Sequence, residues 1–358
     1  MPIIVFTGGG TAGHVTPNIA LIESLGQRDW QMHYIGSQDG VERDMIETIG
    51  VPYYAVRSGK LRRYFSWKNF LDPLKVLAGV TQSYLLLRKI KPNIVFSKGG
   101  FVALPVVIGA WLNRIPVIAH ESDITPGLAN RLSFPFVTKI CVTFDAARQH
   151  FKKQDKIEVT GTPIRSQLFK GDKTKGLALC GFSPQKPCLL IVGGSQGSSG
   201  LNAIVREALP ALTARFQIIH LCGKGKRSEA HSTDPSYFQL EYANEELADL
   251  LVASDVVASR SGANALYELL ALGKPHVLIP LSRKVSRGDQ IQNARHFEKL
   301  GISTVLNDDS LSSGVLIQAI DDVFAHRDAL IDKIKALGIV SATDKIIGLL
   351  EQDLSNNE

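Results

Sequence analysis

In the stretch from Val256 to Pro280, VVASRSGANALYELLALGKPHVLIP, the side chains able to do chemistry fall in one run between an apolar strand and a helix. Ser259, Arg260, Ser261, Gly262 and Asn264 stand where the apolar residues stop, so backbone N–H groups at the new helix's start can face an anionic ligand. Glu268 follows about one turn into that helix, where a carboxylate can accept both hydroxyls of a ribose. The same residues also suit a capped core helix with a solvated glutamate, and this stretch alone does not separate the two. A second set lies near the amino end. His14 follows a glycine-rich turn, and an imidazole of ordinary pKa about 6.5 can take a proton at neutral pH, or can simply cap the helix or pack the turn. Glu121 and Asp123, in the polar turn HESD, are the other candidate bases.

The elements that position these residues occur twice. Val95–Ala119, VFSKGGFVALPVVIGAWLNRIPVIA, matches the 256–280 stretch in order: apolar strand, Ser97-Lys98 against Ser259-Arg260, Gly100 against Gly262, helix, Pro116 against Pro275, strand. Upstream, IIVFTGGGTAGHVTPNIALIESL and LLIVGGSQGSSGLNAIVREAL are each strand, glycine turn and helix, with Gly9 opposite Gly193 and Thr11 opposite Ser195. The pattern predicts an α/β protein of two Rossmann-like domains on one plan, with four glycine turns at strand carboxyl ends. Gly161-Thr162-Pro163 is the expected hinge between them, giving domains of residues 1–163 and 164–342.

Gly8, Gly10 and Gly13 spell GxGxxG, which makes a nicotinamide or flavin enzyme an alternative. The ribose-binding acid should close the next strand, but MHYIG ends in Gly36, Ser37 and Gln38, and Asp39 comes late. No Walker A lysine motif is present. Gly9 to Ser97 spans 88 residues and Gly193 to Ser259 spans 66, so the first domain holds 22 more. That surplus fits best in the basic, aromatic segment between Arg57 and Pro73.

At 358 residues, with 44 % hydrophobic and 21 % charged residues, the composition is that of a soluble globular protein of two domains. Cys141, Cys180, Cys188 and Cys222 show no CxxC or Cys/His spacing, so reduced thiols without a catalytic task are expected. The apolar run Phe101–Leu112 is broken by Pro105 and Gly109, and Met1 leads directly into a strand, so neither export nor a membrane span is expected. Residues 1–163 carry 19 Lys/Arg and 12 Asp/Glu, leaving 21 and 22 of the totals of 40 and 34, so the excess positive charge belongs to the first domain. Ten of those cations lie between Arg57 and Lys98 against the single acid Asp72, which calls for an anionic partner, nucleic acid or a lipid surface.

With GGGTAGHVTP, SKGGF, HESD, GTPIR, GGSQG and SRSGANALYE in this order, the chain resembles the MurG family from end to end. The resemblance implies a GT-B glycosyltransferase fold and an inverting transfer of N-acetylglucosamine from UDP-GlcNAc to the C4 hydroxyl of the MurNAc of lipid I, giving lipid II for peptidoglycan. It also implies that the last helix, residues 343–354, crosses back onto the first domain. Carried over position by position, it gives Ser195 and Arg165 to the donor diphosphate, Glu268 to the ribose and the backbone near Ala243 to the uracil. Ala263, Asn264, Ala265 and Leu266 line the diphosphate and sugar; Thr11, Ala12 and Gly13 close from the opposite domain; Gln290 reads the GlcNAc hydroxyls. Two positions depart from the family's better-known members, which have Asn at Asp123 and a second Gln at Asp289. An ionised carboxylate only accepts hydrogen bonds, whereas an amide also donates, so the polarity of these contacts changes.

The leaving UDP gains negative charge, which a helix N-terminus after Gly193–Gly197, the Ser195 hydroxyl and Arg165 can stabilise; no DxD motif occurs, and neither a metal nor another cofactor is called for. An acceptor diphosphate needs N–H donors, offered by the turns at Gly8–Gly13 and at Lys98, Gly99 and Gly100. The interleaving of Lys60, Arg62, Arg63 and Lys68 with Tyr64, Phe65 and Trp67 fits the anionic cytoplasmic face of a cell membrane, with peripheral binding. Nucleic acid is disfavoured because no known nucleic-acid module surrounds these charges. Leu77, Val80, Tyr84 and Leu87, at helical spacing just beyond, are expected in the core. The alternatives are a UDP-sugar 2-epimerase, which would have no use for the basic aromatic segment, and a non-catalytic nucleotide-sugar-binding subunit, which would not need His14, Glu121 and Asp123.

Overall fold

The computed structural model describes residues 1–59, 68–194, 197–231 and 233–355, with side chains left out at 68–72. The chain divides into two compact units, Met1–Arg165 with Ser341–Glu358, and Ser166–Val340.

Unit 1 is built on seven parallel strands, β1 (Ile3–Thr7), β2 (Gln31–Gly36), β3 (Tyr53–Ala55), β4 (Ile94–Ser97), β5 (Val117–Glu121), β6 (Lys139–Val142) and β7 (Ile157–Val159), in the order β3-β2-β1-β4-β5-β6-β7. Strands this short and this apolar suit a sheet covered on both faces. Successive side chains alternate accordingly: Ile4 and Phe6 pack with Ile94, Phe96 and Leu21 on one face, while Val5 packs with Ile35, Val95 and Val106 on the other. The C-terminal helix Thr343–Ser355 joins the first face through Ile346, Ile347 and Leu350, each fully buried. Burial of such side chains contributes about 1.5–3 kcal/mol apiece, more than the flanking ion pairs Arg28–Glu351 and Lys139–Asp353.

Unit 2 repeats the plan with six parallel strands, β8 (Cys188–Val192), β9 (Gln217–Leu221), β10 (Tyr237–Leu240), β11 (Val256–Ser259), β12 (His276–Leu278) and β13 (Thr304–Val305), in the order β10-β9-β8-β11-β12-β13. In each unit the chain leaves the first strand in one direction and returns to add strands on its other side. The connections after β1 and β4, and after β8 and β11, therefore diverge, and a crevice opens at the carboxyl ends of each central pair. All four glycine turns sit there.

One expectation is corrected. Leu87 is buried, but Leu77 is 63 % exposed, as are Leu74 at 62 % and Leu85 at 60 %. The helix Lys68–Ile90 presses on the helix Ala103–Leu112 through Gly79 and Ser83, against Pro105 and Gly109, and Leu87 continues that stripe at four-residue spacing. Leu74, Leu77 and Leu85 therefore fall on the opposite face. Gly161–Thr162–Pro163 lies within unit 1, where the His120 ring meets the Gly161 carbonyl at 2.7 Å, Thr162 shares a 2.7 Å hydroxyl hydrogen bond with Thr143, and Ala342 N–H donates to the Thr162 carbonyl at 3.1 Å.

Candidate functional site

Unit 1 gathers its polar residues on three turns, after β1, β4 and β5. The turn after β1 runs through Gly8–Thr11 into a short 3-10 helix, Ala12–His14, and then the helix Thr16–Leu25. It lies directly against the turn after β4: Gly9 N–H donates to the Gly99 carbonyl at 3.2 Å. Gly100 has a φ of +87°, and a Cβ there would overlap the Gly9 carbonyl, so only glycine allows this approach. Thr11 and Gly13 are exposed and Ala12 and His14 half-buried.

A residue that the sequence did not single out holds this turn. Glu42, fully buried at the start of the helix Val41–Thr48, accepts from Gly10 N–H and Ser37 N–H, both at 3.0 Å, and from the Ser37 hydroxyl. The protein's own carboxylate thus stands where a dinucleotide pyrophosphate would need the glycine N–H groups, which argues against reading GxGxxG as a nicotinamide or flavin site. With Gly9 and Gly10 so occupied, donors toward an anion must come from the rest of these two turns.

The turn after β5 is organised by Glu121. Buried to 3 % exposure, it accepts from Asp123 N–H at 3.0 Å, Gly127 N–H at 3.0 Å and Asn130 Nδ2 at 2.8 Å, which leaves it fixing the turn's shape. Asp123 is half-buried beside it. Lys98 is 1 % exposed and its ammonium donates to the Ser122 hydroxyl, so it spans two turns from beneath instead of reaching outward to a phosphate. Burial lowers its pKa to about 8, against the pull of Glu121 and Asp123. His120 is kept neutral by burial and by the neighbouring Lys98 charge. Arg165, at the end of this unit, has a buried Nε without a hydrogen-bond partner among the described residues. Lys60, Arg62, Arg63 and Trp67 lie outside the described residues.

Unit 2 has polar turns of its own. After β8 the chain turns at Gly193 and Gly194, and the helix Ser199–Thr213 starts under a Ser198 cap; Ser195 lies outside the described residues. Gly197 has a φ of +66°, and a Cβ there would overlap the Cys222 carbonyl, so this turn touches the one after β9. Asn202 seals the contact, donating to the Cys222 carbonyl at 2.8 Å while its Oδ1 meets His220 at 3.0 Å. Arg260, expected near an anion, is 6 % exposed and spent internally: it donates to the Ile279 carbonyl at 2.9 Å, Asp308 at 2.8 Å and the Ser198 hydroxyl at 2.7 Å. It is a tie between the turns after β8, β11 and β12.

The helix Ala263–Ala271 begins at Gly262 with no side-chain cap, so its first N–H groups have no acceptor within the helix. Ala265 is exposed and Asn264 and Glu268 are half-buried, but Leu266 is fully buried, and Ala263 nearly so. Leu266 can therefore line a ligand only through its backbone. Ser261 donates to the Gln290 carbonyl at 2.9 Å and Leu281 N–H donates to Gln290 Oε1 at 3.1 Å, which turns the amide nitrogen of Gln290 toward Gly262. Asp289, one residue earlier, pairs with Arg287 at 3.4 Å. Ala243 is buried next to the half-exposed Tyr242, so it too offers backbone. Burial pushes the thiols of Cys141, Cys180 and Cys188 up to about 12, and that of Cys222 upward, so none is a thiolate at neutral pH.

The chain matches the glycosyltransferase family 28 N-terminal domain over residues 4–142 and the C-terminal domain of the same family over 188–347. A Legionella pneumophila (strain Paris) protein named UDP-N-acetylglucosamine--N-acetylmuramyl-(pentapeptide) pyrophosphoryl-undecaprenol N-acetylglucosamine transferase is 64 % identical over 351 residues, covering 98 % of this chain and 97 % of the relative. A Clostridium tetani (strain Massachusetts / E88) protein of the same name is 51 % identical over 349 residues, with 98 % and 97 % covered. Among solved structures, Acinetobacter baumannii MurG superposes with a TM-score of 0.76 at 22 % identity, covering 98 % of this chain and all of the other. A Neisseria meningitidis UDP-GlcNAc 2-epimerase bound to UDP-GlcNAc reaches a TM-score of 0.65 at 12 % identity, with 98 % and 100 % covered. The fold is shared by both activities; the relatives above half identity carry the transferase name.

Proposed function

Because the chain belongs to the family of UDP-N-acetylglucosamine--N-acetylmuramyl-(pentapeptide) pyrophosphoryl-undecaprenol N-acetylglucosamine transferases, we propose that it moves N-acetylglucosamine from UDP-GlcNAc to the C4 hydroxyl of the MurNAc of lipid I, making lipid II. It is a glycosyltransferase, and the identity across the whole chain carries the choice of substrates.

In this reading unit 2 binds the donor. Glu268 accepts the ribose hydroxyls, the backbone at Ala243 meets the uracil, and the N–H groups of 263–265 with Ser195 and Arg165 take the diphosphate, the Leu266 N–H being bonded to the Gly262 carbonyl. Gln290 reads the sugar hydroxyls. As the C1–O bond to the β-phosphate breaks, UDP leaves with the electron pair, and the uncapped helix start stabilises the growing charge. Unit 1 takes the acceptor: Thr11, Ala12 and Gly13 with Gly99 and Gly100 supply N–H groups to the lipid-linked diphosphate. His14 removes the proton from the attacking hydroxyl, and the new bond forms with inversion at C1. Asp123 accepts a hydrogen bond from the acceptor, and Glu121 holds the turn that presents it.

Lipid I stays in the bilayer, so the enzyme works peripherally at the anionic inner face of the cell membrane; no described helix is long and apolar enough to cross one. The exposed leucines Leu74, Leu77 and Leu85 on the helix Lys68–Ile90 support a membrane-facing surface on unit 1. The test is the structure of the product made from UDP-GlcNAc and a short-chain lipid I analogue. A β-linked disaccharide at O4, seen by mass spectrometry and NMR, is expected; UDP-N-acetylmannosamine, or its hydrolysis products N-acetylmannosamine and UDP, with no acceptor product would mean epimerisation instead.

A further inference from the structure

Lys98 is the one buried cation among the turns described for unit 1. Its Cβ lies 3.1 Å from where a Cβ on Gly8 would stand, so the side chain starts against the turn after β1. It ends at the Ser122 hydroxyl, on the turn after β5. Asp123 is thereby held from two sides, its N–H by Glu121 at 3.0 Å and its neighbour Ser122 by the ammonium. The electrostatics fit this placement. Glu121 and Asp123 are adjacent carboxylates in a buried turn, and each pulls the Lys98 pKa upward, so the ammonium offsets a repulsion that the two acids would otherwise feel.

We propose that Lys98 is a positioning residue, whose charge and hydrogen bond through Ser122 keep Asp123 oriented to accept from the acceptor substrate. The role of Asp123 rests on the reading of unit 1 as the acceptor side; the Lys98–Asp123 coupling itself does not. The other groups around the ammonium do not replace it. His120 on β5 is neutral through burial, Cys141 on β6 stays protonated, and His14 comes to the Gly8 position with its backbone carbonyl, 3.0 Å from where a Cβ on Gly8 would stand. Because burial brings Lys98 down to about 8, its charge is lost as pH rises through that value, and acceptor use should fall with it.

A double-mutant cycle on the full chain tests this with Lys98→Met, Asp123→Asn and the pair. Thermal stability at pH 7 reads the coupling without any substrate. Asp123→Asn should lower Tm in the parent, where it removes a charge that attracts the cation, and raise it in the Lys98→Met background, where it relieves the repulsion between two neighbouring carboxylates. In activity, Lys98→Met should cut kcat/KM for a short-chain lipid I analogue about 10- to 100-fold with donor KM within about twofold, and the double variant should recover part of the loss. In the parent, kcat/KM for the acceptor should decline above about pH 8, and Asp123→Asn should move that limb to lower pH because the ammonium loses a stabilising carboxylate. Asp123→Asn is nearly isosteric, so this arm stands even if Lys98→Met fails to fold. The same sign of the Tm change in both backgrounds, or an alkaline limb unmoved by Asp123→Asn, overturns the proposal. A parent that makes no lipid product while the Tm cycle reverses sign would instead refute the acceptor reading and leave Lys98 coupled to Asp123.

Discussion

Replacing Glu42 by Ala should unfold unit 1 at a much lower temperature while leaving donor binding intact. The carboxylate is fully buried and accepts from Gly10 N–H, Ser37 N–H and the Ser37 hydroxyl. Alanine would strand two backbone donors, at about 1–3 kcal/mol each, and add a cavity, so a loss of about 4 kcal/mol is expected. For a unit of this size about 2–4 °C is lost per kcal/mol, which gives roughly 8–16 °C. The assay is built into the sequence: Trp30, Trp67 and Trp111 all fall within unit 1, so intrinsic fluorescence follows that unit alone. Glu42→Gln should lose less, because its Oε1 can still accept from Ser37 and only the Gly10 N–H would face the amide N–H groups. A melting shift below about 2 °C for Glu42→Ala would refute the claim that this carboxylate holds the glycine turn.

His14→Ala should lower kcat about 10²- to 10⁴-fold with donor affinity by calorimetry unchanged; a kcat within threefold of the parent would move the base elsewhere. Arg260→Ala removes three hydrogen bonds joining the turns after β8, β11 and β12, so it should weaken UDP-GlcNAc binding about tenfold or more without touching the nucleotide. Parent-like affinity would show that those turns hold without it. Changing Lys60, Arg62 and Arg63 together to Glu should abolish sedimentation with anionic liposomes at low salt while a water-soluble acceptor is still used; unchanged sedimentation would place the membrane face elsewhere.

The strand, glycine turn and helix units were legible because their signals are local. An apolar run of four or five residues, a glycine and a polar cluster fix where a parallel strand ends and a helix starts, and the repeat of that pattern identified both sheets. What reaches across the chain was not legible. Glu42 looks like an ordinary acid in a first helical turn, and only its partner 32 residues away shows its task. Asn202 did carry a signal, a polar residue on the buried stripe Leu201, Val205, Ala208, Leu209 and Leu212. Lys98 and Arg260 carry no local signal of their direction, because a cation on a polar turn is usually solvated. Both point inward, since adjacent turns at a switch point must be tied to each other before either can hold a ligand. Leu77 went astray for a related reason: helical spacing defines a stripe, but the small residues Gly79 and Ser83 decided which stripe meets the neighbouring helix.

The most direct test of the central claim follows labelled N-acetylglucosamine from UDP-GlcNAc in the presence of a lipid I analogue, in the parent and in Glu268→Ala. The parent should place the label in the lipid-extractable fraction in equal amount to the UDP released. Glu268→Ala should need roughly tenfold to a hundredfold more donor for the same rate, as expected for losing a charge-assisted contact of about 1.5–3 kcal/mol to the ribose. Label that stays in the aqueous phase, or a Glu268→Ala variant with parental donor dependence, would contradict the account.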